Sequence, residues 1–258
     1  MKEKIILITN DDGIHAEGID TLVQVARKYG KIYVIAPDQE RSAASHSITI
    51  NRPLHASSFP SKYSGVKYIG VDGTPVDCVK LALHKILPKK PDLVFSGINF
   101  GLNIGQDVLY SGTVAAAMEA SRNNCLSFAF SAEVENNKVR FDTSAKVIEM
   151  MFQNLENYED LSASKVVNVN IPHLDFENIK GISNTKVDKS NFATQYEEYQ
   201  DPRGKMFYWL SGRRHVDNQF TDNDYNYLKK GFVSISSLDN QYTNQEKCKH
   251  LEDIIGKI

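Results

Sequence analysis

Residues 5–9, Ile-Ile-Leu-Ile-Thr, form a short, almost wholly apolar, β-branched run that stops at once in Asn10-Asp11-Asp12-Gly13. A strand with no polar side to turn toward water must be covered on both faces, which is the environment of a central strand in a parallel sheet. Parallel neighbours need a crossover helix. The next segment supplies one: within 16–29, Ile19, Leu22, Val23, Val25 and Ala26 recur at helical spacing before a second strand at 31–36.

The alternation continues. Strands are expected at 47–50, 66–71, 92–95, 126–130 and 166–170, with irregular chain at 53–65 and helices at 113–122 and 141–155. Thr74 and Pro75 mark a helix start, as N-cap and first helical residue, with Asp77 in the first turn ahead of Val79, Leu81, Leu83 and Leu87. Later segments at 181–187, 205–211 and 232–236 read as short strands between polar loops, and 244–255 as a closing helix. The fold expected is therefore α/β, a mostly parallel sheet with helices on both faces, followed by a hairpin-rich carboxyl-terminal region suited to oligomerisation. Residues 1–165 form the core that carries the loops of interest, and 166–258 its continuation.

At 258 residues the chain is long enough for one large domain with an added subdomain. Thirty basic against 32 acidic residues, without a basic stripe, disfavour a nucleic-acid partner. Cys78, Cys125 and Cys248 are odd in number and far apart, so they read as reduced thiols rather than a disulfide framework or zinc site. The apolar run at 5–8 is too short for a signal peptide or a membrane span, and a cytoplasmic location is expected.

Ligands of open parallel sheets bind beyond the carboxyl ends of the strands, so the strand ends are where chemistry is sought. The first carries Asn10, Asp11 and Asp12; adjacent carboxylates repel unless a cation or hydrogen-bond donors neutralise them, although Asp12 as a simple helix cap is the plainer reading. The second, PDQERSAASHSIT, offers hydroxyls at Ser42, Ser45 and Ser47 around His46, a histidine that structural hydrogen bonding would explain equally well. The third, residues 96–113, holds Gly97, Gly101 and Gly105 with Asn99 and Asn103, and reads as a loop whose backbone approaches a ligand. Ser111, Gly112 and Thr113 then open a helix whose free amides suit a phosphate, against the alternative of an ordinary capped helix. Carboxylates, amides and hydroxyls without cysteine or a histidine cluster make a hard, all-oxygen site for magnesium or manganese, and water attack on a phosphate ester is its natural reaction.

These motifs, ITNDDG, PDQERSAASHSIT, VDGTPVDCV and SGINFGLNIGQDVLYSGTVAAAME, together with Thr221-Asp222, resemble those of the SurE (survival protein E) nucleotidases. The strongest similarity covers about residues 5–122; NVNIP at 168–172, DPRG at 201–204 and GFVSIS at 231–236 extend it more thinly. The resemblance implies a Rossmann-like, cytoplasmic phosphatase acting on nucleoside 5′- and often 3′-monophosphates, and on short polyphosphate, with one divalent cation per subunit. It places the metal ligands on Asp11, Asp12, Ser42 and Asn99. It makes Asn103 a residue that orients phosphate or water, with Asn10 in support. Asp107 is a candidate for proton acceptance or for hydrogen bonding behind the site, and Ser111, Gly112 and Thr113 are candidates for phosphate oxygens. A homodimer or homotetramer with exchanged carboxyl-terminal elements is also implied. The usual proline after SIT is Ser237 here, a departure that touches the tail and not the chemistry.

Two other readings remain open from sequence. A haloacid-dehalogenase-type phosphatase also places an aspartate after its first strand but needs Asp-x-Asp. A nucleotide-binding stress module would hold the phosphate with little turnover.

Overall fold

The computed structural model describes residues 4–153, 165–188, 195–211 and 222–239. In chain order the elements are β1 (Ile5–Thr9), α1 (Glu17–Ala26), β2 (Lys31–Pro37), β3 (Ala56–Phe59), β4 (Lys67–Val71), α2 (Pro75–Leu81), β5 (Leu93–Phe100) and α3 (Gly112–Arg122). They continue with β6 (Leu126–Ala132), α4 (Phe141–Gln153), β7 (Lys165–Ile171), β8 (Ile182–Asn184), β9 (Gln195–Gln200), β10 (Met206–Ser211), α5 (Asp224–Lys229) and β11 (Val233–Asp239).

Nine strands form one sheet in the order β3-β4-β2-β1-β5-β6-β7-β11-β8, and β9 with β10 makes a separate antiparallel hairpin. From β4 through β7 the strands are parallel; β3 and β11 are antiparallel to their inner neighbours β4 and β7. The chain winds from β1 outward through β2 to β4, then crosses back to lay β5 on the other side of β1. The β1–β5 junction is thus the switch point, where the loops diverge and leave a crevice at the carboxyl ends.

Alternation along β1 explains its composition. Ile6 and Ile8 pack with Ile19 and Leu22 of α1 and with Val147 and Phe152 of α4 on one face. Ile5 and Leu7 pack with Cys78 and Val79 of α2 and with Ala116 and Ala120 of α3 on the other. Each fully buried aliphatic side chain contributes roughly 1.5–3 kcal/mol of hydrophobic stabilisation, so neither face tolerates a polar substitution. Helix α2 starts as read from sequence: Asp77 N donates to Thr74 Oγ1 at 3.1 Å and Thr74 N to Asp77 Oδ2 at 3.0 Å, a reciprocal capping box with Pro75 in the first turn. Cys78 and Cys125 are free and buried, and burial pushes both thiols up, leaving them inert.

Three expectations are corrected. Residues 47–50 are not a strand: Thr49 turns its backbone N and Oγ1 onto the Asp77 carboxylate, at 3.0 and 2.7 Å, and leaves Ile50 exposed. The stretch 53–65 contains an edge strand, β3, whose exposed Ala56, Ser57 and Ser58 show no alternation because neither face is covered at those positions. Residues 96–100 belong to β5, with a bulge against β6 between Ser96 and Asn99, rather than to a loop. Strand β9 and helix α5 were not foreseen, and the expected helix at 244–255 lies outside the described residues.

Candidate functional site

Asp11 and Asp12 leave β1 at the switch point, and the surrounding elements close on them one by one. Thr113 Oγ1 donates to Asp11 Oδ1, and the backbone amides of Gly112 and Thr113 also favour its ionised form. Gly112 is small for a reason: a Cβ there would lie 2.8 Å from Asp11 Cβ and 2.9 Å from its Oδ2. Helix α3 therefore points its amino terminus at a carboxylate of the protein itself. Asp12 Oδ2 accepts from Phe100 N at 3.0 Å, which fastens it to the end of β5. The loop after β2 is tied in through Arg41 N, which donates to Asp11 O at 2.7 Å.

Asn99 lies on the bulged end of β5 with Nδ2 donating to Gly101 O at 2.8 Å, so Oδ1 is the atom that could serve a cation. The preceding Gly97 has φ +132°, and a Cβ there would overlap the carbonyl of Phe130. The glycine at this position serves a close approach of β5 to β6. Ser42 is exposed, one residue beyond Arg41, and donates to Glu40 Oε1 at 2.5 Å. Its loop is held further on by Ser45, whose N and Oγ donate to Tyr110 O and Leu109 O at 3.0 and 2.7 Å.

Both acids are held above their ordinary range. Burial raises Asp11 first, against the opposing hydrogen bond from Thr113 and the helix amides. Burial and then the Asp11 charge push Asp12 up to about 6, the Phe100 N–H opposing and Glu40 adding to the effect. A buried carboxylate next to a half-buried one whose ionisation its charge penalises is the condition a bound cation relieves. Among the described residues no group of three or more His, Cys, Asp and Glu gathers, and the oxygens that could add to the two acids are those of amides and hydroxyls. Asn99 and Ser42 supply that type, and the all-oxygen set fits a hard divalent ion.

Asn103 is buried and held from three sides: its N donates to Asn170 Oδ1 at 2.8 Å, its Nδ2 to Ser131 Oγ at 2.8 Å, and its O accepts from Asn168 and Asn170 at 2.9 and 3.0 Å. Ser131 of β6 and Asn168 and Asn170 of β7 were not singled out from sequence, where NVNIP reads as a strand and a thin extension of the resemblance, without a role for its asparagines. Asn10 is fully buried and donates Nδ2 to Gly13 O at 3.0 Å, shaping the turn that carries the acids; its Oδ1 is buried without a partner. Ser111 Oγ accepts from Val114 N at 3.1 Å as the cap of α3. Asp107 is half-buried on the short 3₁₀ turn Gly105–Leu109. A cavity of about 660 Å³ opens further along the same sheet edge, lined by Glu133, Glu135, His173, Lys180 and Lys229 among others, and none of the candidate residues faces it.

Fold and site together define a Rossmann-like α/β protein with an acidic, oxygen-donor centre at the switch point of its sheet. The Survival protein SurE family model matches residues 6–194. The protein described as 5′-nucleotidase SurE of Carboxydothermus hydrogenoformans is 41% identical over 254 residues, covering 96% of this chain and 94% of that one. That of Pseudomonas syringae pv. tomato is 39% identical over 248 residues, covering 96% and 97%. The crystal structure of the SurE protein from Aquifex aeolicus matches with a TM-score of 0.82 at 37% identity, covering 98% of this chain and 100% of that one. The chain belongs to the SurE family.

Proposed function

We propose that this protein is a divalent-metal-dependent 5′-nucleotidase, hydrolysing nucleoside 5′-monophosphates to nucleoside and phosphate. The observation that carries the reading is the adjacent pair of Asp11, buried under the amino terminus of α3, and half-buried Asp12, fastened to the end of β5, both held above their ordinary pKa range. The description borne by the relatives supports the activity.

Asp11, Asp12, Asn99 and Ser42 would hold magnesium or manganese, which supplies Lewis acidity when bound. Thr113 and the first amides of α3 aim Asp11 and favour its ionised form against the effect of burial. Phe100 N–H does the same for Asp12. Asn103, with one of its two amide hydrogens committed to Ser131, offers the second to a phosphoryl oxygen or to the attacking water. Ser111, whose lone pair caps α3, offers its hydroxyl hydrogen to the phosphate, and Gly112, by lacking a side chain, lets the start of α3 close on Asp11 beside it. The Thr113 hydroxyl hydrogen is engaged by Asp11, so Thr113 would act on the phosphate only indirectly, by holding a ligand of the cation. Asp107 is the candidate for proton acceptance or for hydrogen bonding behind the site, and Asn10 holds the turn.

The resemblance extends the substrate range to 3′-monophosphates and short polyphosphate, and the setting to the cytoplasm. It also favours a homodimer or homotetramer. The β9–β10 hairpin, standing off the main sheet with Tyr196, Tyr208, Trp209 and Leu210 exposed, is the surface suited to that assembly. No helix among the described residues is long and apolar enough to cross a membrane.

The test is phosphate release from AMP and a panel of 5′- and 3′-nucleotides by metal-stripped protein, with and without manganese or magnesium, beside the Asp11→Asn/Asp12→Asn double variant. Release that depends on metal and vanishes in the variant supports the reading. Tight nucleotide retention without release, in protein whose melting temperature rises on adding manganese, shows a binding module instead.

A further inference from the structure

Beyond β7, the chain is tied to the loop of the candidate site by the carboxylate of Asp224. Asp224, the first residue of α5, is fully buried, and its Oδ2 accepts a 2.9 Å hydrogen bond from Gly105 N, 119 residues away in sequence. Its Oδ1 accepts from Asp188 N at 3.1 Å and Tyr225 N at 2.8 Å. Its own N donates to Lys186 O at 2.9 Å. Asn223 Nδ2 donates to Asp188 Oδ1 at 3.0 Å, and Lys186 forms an isolated parallel bridge with Asn223.

Those contacts converge on two places. Asp188 and Asn223 stand on either side of the segment that carries β9 and β10, so Asp224 gathers both roots of the hairpin. Gly105, with φ +58°, lies midway between Asn103 and Asp107. Asn103 is anchored by Ser131, Asn168 and Asn170 of β6 and β7, whereas the Gly105 N–H is anchored by Asp224. Three N–H donors meet one desolvated carboxylate there, an arrangement that no apolar side chain of the same volume replaces without orphaning all three.

We propose that Asp224 is a positioning residue for the nucleotidase site: its carboxylate sets Gly105, and with it the Asn103–Asp107 turn, and joins that turn to the root of the β9–β10 hairpin. The meaning of the turn rests on the nucleotidase reading; the clamp itself does not.

The test uses the full-length protein with Asp224→Asn and Asp188→Ala. An asparagine keeps one acceptor, which seats best where the Asp188 and Tyr225 N–H groups converge, so its NH₂ faces Gly105 and breaks that link alone. Amide exchange across residues 101–110 should then quicken about tenfold or more, with β1 and β5 unchanged, while kcat for AMP falls about tenfold and KM moves less than about twofold. Asp188→Ala loosens the hairpin root but spares Gly105, and should keep kcat near that of the unsubstituted protein. Unchanged exchange in Asp224→Asn, unchanged kcat despite faster exchange, or an equal loss of kcat in Asp188→Ala would each overturn the proposal. The unsubstituted protein gives an independent check should Asp224→Asn fold poorly: the Gly105 amide should exchange about 100-fold more slowly than a free peptide, and free-peptide exchange there removes the clamp. If the unsubstituted protein releases no phosphate under any metal, the nucleotidase reading fails, and the exchange measurements decide the clamp separately.

Discussion

Thr113 Oγ1 donates a hydrogen bond to Asp11 Oδ1, joining the opening of α3 to the exit of β1 across 102 residues of sequence. The relationship determines how the site handles charge. An aspartate withdrawn from water beside a second aspartate is costly, and the hydroxyl and the helix amides offset part of that cost on the ionised form.

Replacing Thr113 by valine keeps the shape and deletes the donor. Because that bond favours the ionised form of Asp11, its loss raises the pKa further, and ionisation then requires higher pH. The acid limb of the pH–rate profile should move to higher pH, and the ionised form should lose about 1.5–3 kcal/mol. Thr113→Ser should restore the profile; an unmoved limb in Thr113→Val would show that the bond does not govern Asp11.

Gly112→Ala tests the packing of α3 on the acid. The new Cβ meets Asp11 Cβ at 2.8 Å and Oδ2 at 2.9 Å, so the helix start or the carboxylate must shift. Activity should fall on the order of 100-fold, with far-UV circular dichroism unchanged. Full activity would mean that the site absorbs the shift.

The metal-free protein should be less stable at neutral than at mildly acidic pH as far as Asp12 is concerned. Burial and the Asp11 charge hold the folded carboxyl protonated up to about 6, against an ordinary value of 3.8. Between those values the folded chain binds the extra proton, so this contribution to stability is present at low pH and is lost as pH rises through about 6. Asp12→Asn, permanently neutral, should exceed the unsubstituted protein by on the order of 1–2 kcal/mol near pH 7.5 in chelator, allowing for the partial exposure of the group. Urea denaturation near pH 7.5 and 4.5 reads the difference, which should shrink at the lower pH.

Glu119 behaves in the opposite sense. Its side chain, 6% exposed on α3, faces His46 Nε2 at 3.1 Å, Lys80 Nζ at 3.4 Å and Arg122 Nη1 at 3.6 Å. Burial pushes the carboxyl up, but the His46 hydrogen bond and the two cations outweigh it and hold the group below its ordinary value. Its stabilisation is therefore present at neutral pH and is lost on acidification. Glu119→Gln should cost about 1–3 kcal/mol near pH 7 and much less near pH 4, measured by denaturant unfolding.

The central β1, the α2 cap at Thr74 and the acids at 11 and 12 were legible because each rests on neighbouring residues: a β-branched run, a capping pair, a strand end. Strand β3 was not, because an exposed edge strand has no covered face to leave a pattern. Residues 47–50 misled for the same local reason: their alternation suits a strand, but Asp77, far along the chain, claimed the Thr49 N–H. Asp224 carried no signal, since a single aspartate among polar neighbours looks like solvated surface until Gly105 is brought against it.

Local periodicity and short-range capping thus determined by sequence alone that this chain winds an α/β sheet and places oxygen donors at its strand ends. Which donors meet was decided only by tertiary structure. Thr113 on Asp11, Phe100 on Asp12, the asparagines of β7 on Asn103 and Asp224 on Gly105 are pairings between distant segments, set by the order of strands in the sheet. Side-chain period within a strand or helix is written in neighbouring residues, but the partner of a buried polar group depends on which segments the crossovers bring together.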